Sequence, residues 1–158
     1  MFYGARTSIT AVAETLEPRD ERYAIAEFRT TRPITVLDLT ILPYVSLFDV
    51  GRTQLYDWAV FMRKFAADFR TPVARDGSEH IEYVPTQVVT EYIRSAVRHN
   101  GRPLDGILYT SARRARETCV VLFAEQEDVA PEPDPGTTPA DRGYLLALRH
   151  VSNCRRTL

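Results

Sequence analysis

The sequence predicts an α+β domain. Two segments with helical spacing and several short β-branched or aliphatic runs support that class, and their irregular order lacks the strand–helix alternation of a doubly wound sheet. In the first helical segment, about 54–69, Leu55, Trp58, Ala59, Met62, Phe65, Ala66 and Phe69 recur at the intervals that align side chains on one helix face. In the second, from about Val84 to His99, Val84, Val88, Tyr92 and Ala96 line one side, with Val89, Ile93 and Val97 beside them. Pro85 suits its first turn and Gly101 its end. Both helices are expected to pack on a mixed sheet that forms a cleft.

The remaining elements follow in order. Phe2 to Ala5 is a short apolar-aromatic run and reads as a strand end. Thr7, Ser8 or Thr10 caps a short helix reaching Glu17, with Ile9, Val12, Ala13 and Leu16 on one face. Pro18 ends it. Tyr23 to Phe28 and Ile34 to Ile41 read as strands separated by Arg32 and Pro33. Pro43 to Arg52 reads as a loop anchored by Phe48, and Thr71 to His80 as a polar connection. Asp105 to Tyr109 and Cys119 to Ala124 read as strands joined by the arginine-rich turn Arg113 to Glu117. Pro131 to Pro139 is a loop rich in proline and acid, and Tyr144 to Val151 is a candidate final strand.

A chain of 158 residues fits one domain, and 44% hydrophobic with 26% charged residues can fill a core. The formal net charge of -1 supplies no global positive field for nucleic acid or an anionic membrane. No run approaches the roughly 18 apolar residues that a membrane span needs, and Met1 to Thr10 lacks the pattern of a signal peptide. These readings point to a cytoplasmic protein. Cys119 and Cys154 have no metal spacing and make no disulfide framework. His80, His99 and His150 lie far apart, so no metal site is expected. Lys64 is the only lysine among 20 basic residues. Arginine grips phosphate better than lysine does, although a genome-wide codon bias explains the skew more simply.

The sequence holds no glycine-rich phosphate loop, nucleophile elbow or metal box. The candidates are polar residues inside apolar stretches. Glu14 follows Thr10-Ala11-Val12-Ala13 and is either a surface residue of an amphipathic helix or an anion held in a cleft; spacing alone favours the surface. Ser111 follows the strand ending at Tyr109 and either faces a pocket or bonds its own turn. Tyr3 is an aromatic at a strand end, a place usually given to core.

Phe2-Tyr3-Gly4-Ala5 followed by Thr10-Ala11-Val12-Ala13-Glu14 resembles the opening motif of RES domains, toxins named for an Arg-Glu-Ser set. The resemblance continues through Leu37-Asp38-Leu39-Thr40 and Tyr83-Val84-Pro85-Thr86-Gln87-Val88-Val89-Thr90-Glu91-Tyr92. It ends in Leu104-Asp105-Gly106-Ile107-Leu108-Tyr109-Thr110-Ser111-Ala112-Arg113 and Val120-Val121-Leu122-Phe123. It covers about residues 2–128, leaving 129–158 as an acidic, proline-rich loop and tail of the same domain. The resemblance implies an ADP-ribosyltransferase-like fold and a domain that consumes NAD⁺ by phosphorolysis, hydrolysis or ADP-ribosyl transfer. It also implies a bacterial toxin or defence effector, with a protein antitoxin as partner. NAD is then a substrate, and no cofactor is implied. Glu14 matches the family's catalytic glutamate, Tyr3 its aromatic tyrosine and Ser111 its serine. The family's arginine lies upstream of the Phe-Tyr motif, beyond the start of this sequence. The wording from Leu37 to Ser111 is most similar to RES domains at the end of longer proteins, which implies a C-terminal RES domain without that upstream part.

The chemistry suits these residue types. Breaking the nicotinamide–ribose bond builds positive charge on the sugar, and a carboxylate stabilises it. Tyr3 can stack on a ring, and Ser111 can bond a ribose hydroxyl or an amide. Arg6 and Arg113, beside the motifs, are candidates for the pyrophosphate. Gln87 is a candidate supporting residue, with helix capping or packing as its plainer role. Two other classes compete. One is a catalytically degraded RES-like module that binds a nucleotide or protein partner. The other is a nucleic-acid binder using Arg113, Arg114, Arg116, Arg155 and Arg156, against which the charge balance and the acidic stretch Glu125 to Asp134 argue.

Overall fold

The computed structural model describes residues 1–16, 21–44, 46, 53–69, 84–130 and 143–155. In chain order these form β1 (Phe2–Ala5), α1 (Ser8–Thr15), β2 (Arg22–Thr30), β3 (Val36–Asp38), α2 (Thr53–Phe69) and α3 (Val84–Ala96). Then come β4 (Arg98–His99), β5 (Arg102–Pro103), β6 (Gly106–Thr110), β7 (Thr118–Leu122), a 3-10 turn (Gln126–Asp128), β8 (Val129–Ala130) and β9 (Leu146–Arg155). The fold is α+β. The expectations at Pro18 and Phe48, for the connection 71–80, for the loop 131–139, and for the side chains of Phe69, Val84 and Pro85 lie outside the described residues.

The central sheet has the order β1-β7-β6-β3, antiparallel except for the parallel pair β3–β6. Residues paired across strands share a face. The register therefore puts Tyr3, Val121, Ile107 and Leu37 on one face, and Phe2, Leu122, Gly106 and Val36 on the other. The first face is covered by helices: Ile107 is fully buried in a cluster with Leu39, Leu104, Met62, Phe65 and Ala66 of α2, and Ile93 of α3. The second face meets a three-stranded sheet, β2-β9-β8, in a cluster of Leu122, Leu145 and Leu146 flanked by Phe2 and Phe28. The Phe2 and Phe28 rings meet edge to face at 4.9 Å. Gly106 lies against its neighbouring strand β7. A Cβ there would lie 2.2 Å from the Val121 carbonyl oxygen, so the position requires glycine.

The helices are where expected, but their apolar faces differ in detail. In α2, Ala59, Met62, Phe65 and Ala66 are buried, whereas Trp58 is 46% exposed and Leu55 is exposed too. Both share the buried angle but belong to the first turns, ahead of the part that meets the core. Along α3 and just past its end the inward stripe runs through Val89, Ile93 and Val97, of which Ile93 is buried and the others half-buried, and Val88 and Tyr92 face outward. Two apolar stripes one residue apart have the same period, so spacing cannot choose between them. The helix ends at Ala96, not near Gly101. Asn100 and Gly101, with φ of 51° and 77°, instead form the two-residue turn of the β4–β5 hairpin. In α1 the expected face is also displaced. Ile9 is 62% exposed, and the fully buried residue is Thr10.

Candidate functional site

Helix α1 presents its polar face inward. Thr7 is its N-cap, its hydroxyl accepting from the Thr10 amide at 3.3 Å and lying 2.8 Å from the Thr10 hydroxyl. This pairing lets Thr10 be fully buried without leaving its hydroxyl unsatisfied. Glu14 lies four residues on, hence on the same side of the helix. The burial of Thr10 thus turns Glu14 toward the protein, and its side chain is half-buried against the turn between β6 and β7.

That turn is closed by backbone bonds. The Ser111 amide donates to the Glu117 carbonyl at 2.8 Å and the Glu117 amide to the Arg114 carbonyl at 3.2 Å. Arg116 adopts the left-handed conformation, φ 67°, that only glycine takes without cost. Ser111 is buried, and its hydroxyl donates to Glu14 Oε1. The Arg113 amide donates to Glu14 Oε1 at 3.1 Å and to Ser111 Oγ at 3.2 Å, and the Arg114 amide donates to Ser111 Oγ at 2.8 Å. A hydroxyl has one proton and two lone pairs, so these bonds use the full capacity of Ser111. Of the alternatives for serine, both hold at once: it bonds its own turn and it lines a cavity. Glu14 is likewise neither a free surface residue nor unsupported, because a hydroxyl and an amide hold one carboxylate oxygen in place.

Two residues not singled out by the sequence surround this pair. Tyr109 and Cys119 are cross-strand partners on the face that carries Tyr3. The Cys119 thiol lies close enough to Tyr109 and Ser111 for both to affect its ionisation. Burial, reinforced by the Glu14 carboxylate, pushes that thiol up to about 11. Burial also raises the Tyr109 phenol, with further contributions from Cys119, Glu14 and Tyr3. Both groups are therefore neutral at physiological pH. A signal was present: Tyr109 is two residues before Ser111, and on a strand that spacing gives the same face.

The other candidates fall as follows. Tyr3 is 63% exposed on β1, two register positions from the Ala5–Cys119 pair and close enough to Tyr109 to affect its ionisation. Arg6 is exposed, and its amide donates to the Thr118 carbonyl at 3.2 Å, next to the β6–β7 turn. Arg113 borders a cavity of about 770 Å³ also lined by Thr40, Ser111, Arg116 and Thr118. Gln87 is exposed on α3, and no hydrogen bond among the described residues joins it to Glu14, Ser111 or Tyr3. Among the described residues no three His, Cys, Asp or Glu side chains are grouped to hold a metal, and no helix is long and apolar enough to cross a membrane.

No curated protein and no solved structure matches the chain. The family model described as RES domain matches residues 1–143 of the 158, and the chain belongs to the RES domain family.

Proposed function

We propose that this RES domain cleaves the nicotinamide–ribose bond of NAD⁺, as a toxin or defence effector of a bacterial cytoplasm. The family is generally linked to NAD-related toxin–antitoxin systems. The observation that carries the reading is the half-buried Glu14 carboxylate, fixed by the Ser111 hydroxyl and the Arg113 amide. When the bond from the ribose anomeric carbon to the nicotinamide nitrogen breaks, its electron pair leaves with nicotinamide, which becomes neutral. Positive charge is left on the ribose carbon and ring oxygen. A carboxylate held beside that charge stabilises it before the acceptor, whether water, phosphate or another group, forms the new bond. Two charges about 4 Å apart at an effective dielectric near 20 interact by roughly 4 kcal/mol, enough for one glutamate to dominate the rate.

In this reading Glu14 is the catalytic residue. Ser111 is a positioning residue, since its proton and lone pairs are engaged with Glu14 and the turn amides. Tyr3, exposed on the same face, stacks on a ring of the substrate, and Arg6 and Arg113 supply positive charge for its diphosphate. NAD is the substrate and no separate cofactor is required. A protein antitoxin is the partner that this class of toxin calls for. The test is incubation of the chain with NAD⁺ in the presence and absence of phosphate, with products identified by mass spectrometry. Release of nicotinamide by the wild-type chain and its loss in Glu14→Gln are the expected results. NAD⁺ left intact by the chain, with and without phosphate, would overturn the reading.

A further inference from the structure

An edge strand leaves a row of amides and carbonyls open to another chain, and proteins keep such strands short or interrupted. Among the described residues β1, β3 and β8 obey this rule, at four, three and two residues. The exception is β2. It runs nine residues, Arg22–Thr30, holds no proline, glycine or lysine, and pairs with β9 along one edge alone. The β2–β9 ladder shifts register at Glu27/Phe28, but the extra residue is Arg149 on β9, so the alternation of β2 is unbroken. The outer edge of β9 is also open beyond Ala147, where its pairing with β8 stops. That stretch contains the bulge and carries Arg149, His150 and Arg155 with no acid to oppose them.

The open edge of β2 is complementary to itself. Alternate residues of a strand direct both backbone groups to the same edge, so two copies related by a two-fold axis pair with one residue facing its own counterpart. Centring on Ala24 opposes Glu21 to Glu27 of the second copy, and centring on Glu27 or Arg29 opposes like charges directly. Centring on Ala26 matches no charges. Centring on Tyr23 or Phe28 pairs only part of the strand. Centring on Ile25 pairs residues 21–29 of both copies. It puts Glu21 opposite Arg29 at both ends, Ile25 against Ile25, and Ala24 against Ala26. The side chains suit this register. Glu21, Ala24, Ala26 and Arg29 are exposed and Ile25 is half-buried. Neither Glu21 nor Arg29 is in an ion pair among the described residues. Val151, the cross-strand partner of Ala26, is exposed too. The same pairing sets Val151 and Ala26 in one row with Ala24 of the second copy, joining separate apolar surfaces into a strip.

We propose that the outer edge of β2 is a dimerisation surface: a second copy of this chain adds its own β2 antiparallel, centred on Ile25, and fuses the two three-stranded sheets. The Glu21–Arg29 pairs select the register, because moving the centre one residue either way loses both of them. β2 lies in the layer opposite the face of Tyr3, Tyr109 and Cys119, so the inference does not rest on the cleavage reading.

Sedimentation of the full chain over a range of concentrations tests this. The mass is expected to rise from one chain to two. Glu21→Arg and Arg29→Glu should each weaken the dimer about tenfold or more, since both attractive end pairs become repulsive. The two substitutions together should restore it to within a few-fold, which a merely damaged fold would not do. Crosslinking in a Cys154→Ser background reads the register. Under mild oxidation Ile25→Cys should crosslink to itself, and Ala24→Cys should crosslink to Ala26→Cys in a mixture but not to itself. A single-chain mass at every concentration overturns the proposal, whatever else covers the edge. So does a dimer indifferent to Glu21→Arg and Arg29→Glu, or one that the double exchange fails to restore. Self-crosslinking of Ala24→Cys in preference to Ile25→Cys would overturn the register. Neither readout involves NAD⁺, so a dimer of a chain that leaves NAD⁺ intact would sink the cleavage reading alone.

Discussion

Ser111 donates its single hydroxyl proton to Glu14, 97 residues earlier in the chain, while two successive amides, those of Arg113 and Arg114, donate to the same serine oxygen. The glutamate is thus held by a residue that is itself held by its turn. This arrangement ties α1 to the β6–β7 turn and presents a carboxylate with little freedom to reorient, as preorganised charge stabilisation requires.

Replacing Glu14 by Gln is expected to slow NAD⁺ cleavage by about two to four orders of magnitude, corresponding to roughly 3–5 kcal/mol of lost transition-state stabilisation. The amide keeps the shape and loses the charge, so NAD⁺ binding should change only a few-fold. Steady-state kinetics beside a binding titration separates the two. A rate unchanged within a few-fold would remove Glu14 from the chemistry.

Ser111→Ala is expected to lower kcat about 10- to 100-fold with KM nearly unchanged. It frees Glu14 to reorient and leaves the part-buried Arg114 amide without its acceptor, a loss of about 1 kcal/mol. Tyr3→Ala should show the opposite split. Stacking acts on bound substrate and transition state alike, so KM rises while kcat holds. If Ser111→Ala instead raised KM alone, the serine would be a substrate contact and not a positioning residue.

The fold was legible where local pattern and packing agree. The apolar runs from Ile107 and from Cys119 became β6 and β7 because a strand buried on both faces must be apolar throughout. Helix α3 shows the limit: Val88–Tyr92 and Val89–Ile93 have the same spacing, and only the position of the sheet selects the second. In α1, Thr10 is buried in place of Ile9 because the helix turns the side carrying Thr10 and Glu14 inward, so hydropathy misdirects there. The meeting of Glu14 with Ser111 is set by sheet order and is invisible to any local window. Only the order of the motifs pointed to it. Asn100–Gly101 was legible as a hairpin turn from its two residues, but its place at the end of a helical pattern favoured a cap.

Asp105 ties the connection between β2 and β3 to the start of β6 and gives the fold a specific acid sensitivity. Burial alone pushes its carboxyl up, but the Arg32 guanidinium at 2.6 Å and the Thr35 amide at 2.7 Å outweigh burial and hold it below its ordinary value. The unfolded chain therefore takes up this proton at a higher pH than the folded one. The resulting stability is present above about pH 4 and is lost as pH falls through the folded value. Asp105→Asn should cost about 1–2 kcal/mol at pH 7, discounted because Arg32 is half exposed, and should flatten the acid limb. Urea midpoints at pH 7 and pH 3 measure this. An unchanged difference between the two would remove Asp105 from the acid transition.

Gly106→Ala should be among the most damaging small substitutions, costing about 2–4 kcal/mol. The new methyl would meet a backbone carbonyl, which unlike a flexible side chain cannot turn away. Since β6 carries Ser111 at its end, activity should fall with stability. A thermal midpoint equal to wild type would mean that β6 and β7 are farther apart than described.

The two cysteines should differ sharply in reactivity, and the difference reports on the site. Cys119 is buried, and its thiol is pushed up to about 11 by that burial and by Glu14, so at pH 8 roughly one molecule in a thousand carries the reactive thiolate. Cys154, half-buried on β9, is the accessible one. A chromogenic disulfide reagent should therefore titrate one thiol quickly in the native protein and the second only on unfolding, and Cys154→Ser should abolish the fast phase. The sign also fixes the alkaline behaviour. A thiol raised in the folded state contributes stability that is complete below its unfolded value, about 8.5, and lost as pH rises toward 11. Glu14→Gln removes one of the causes, so it should bring the slow thiol's reaction to lower pH. A pH profile of the slow phase that is identical in wild type and Glu14→Gln would show that the carboxylate does not reach Cys119.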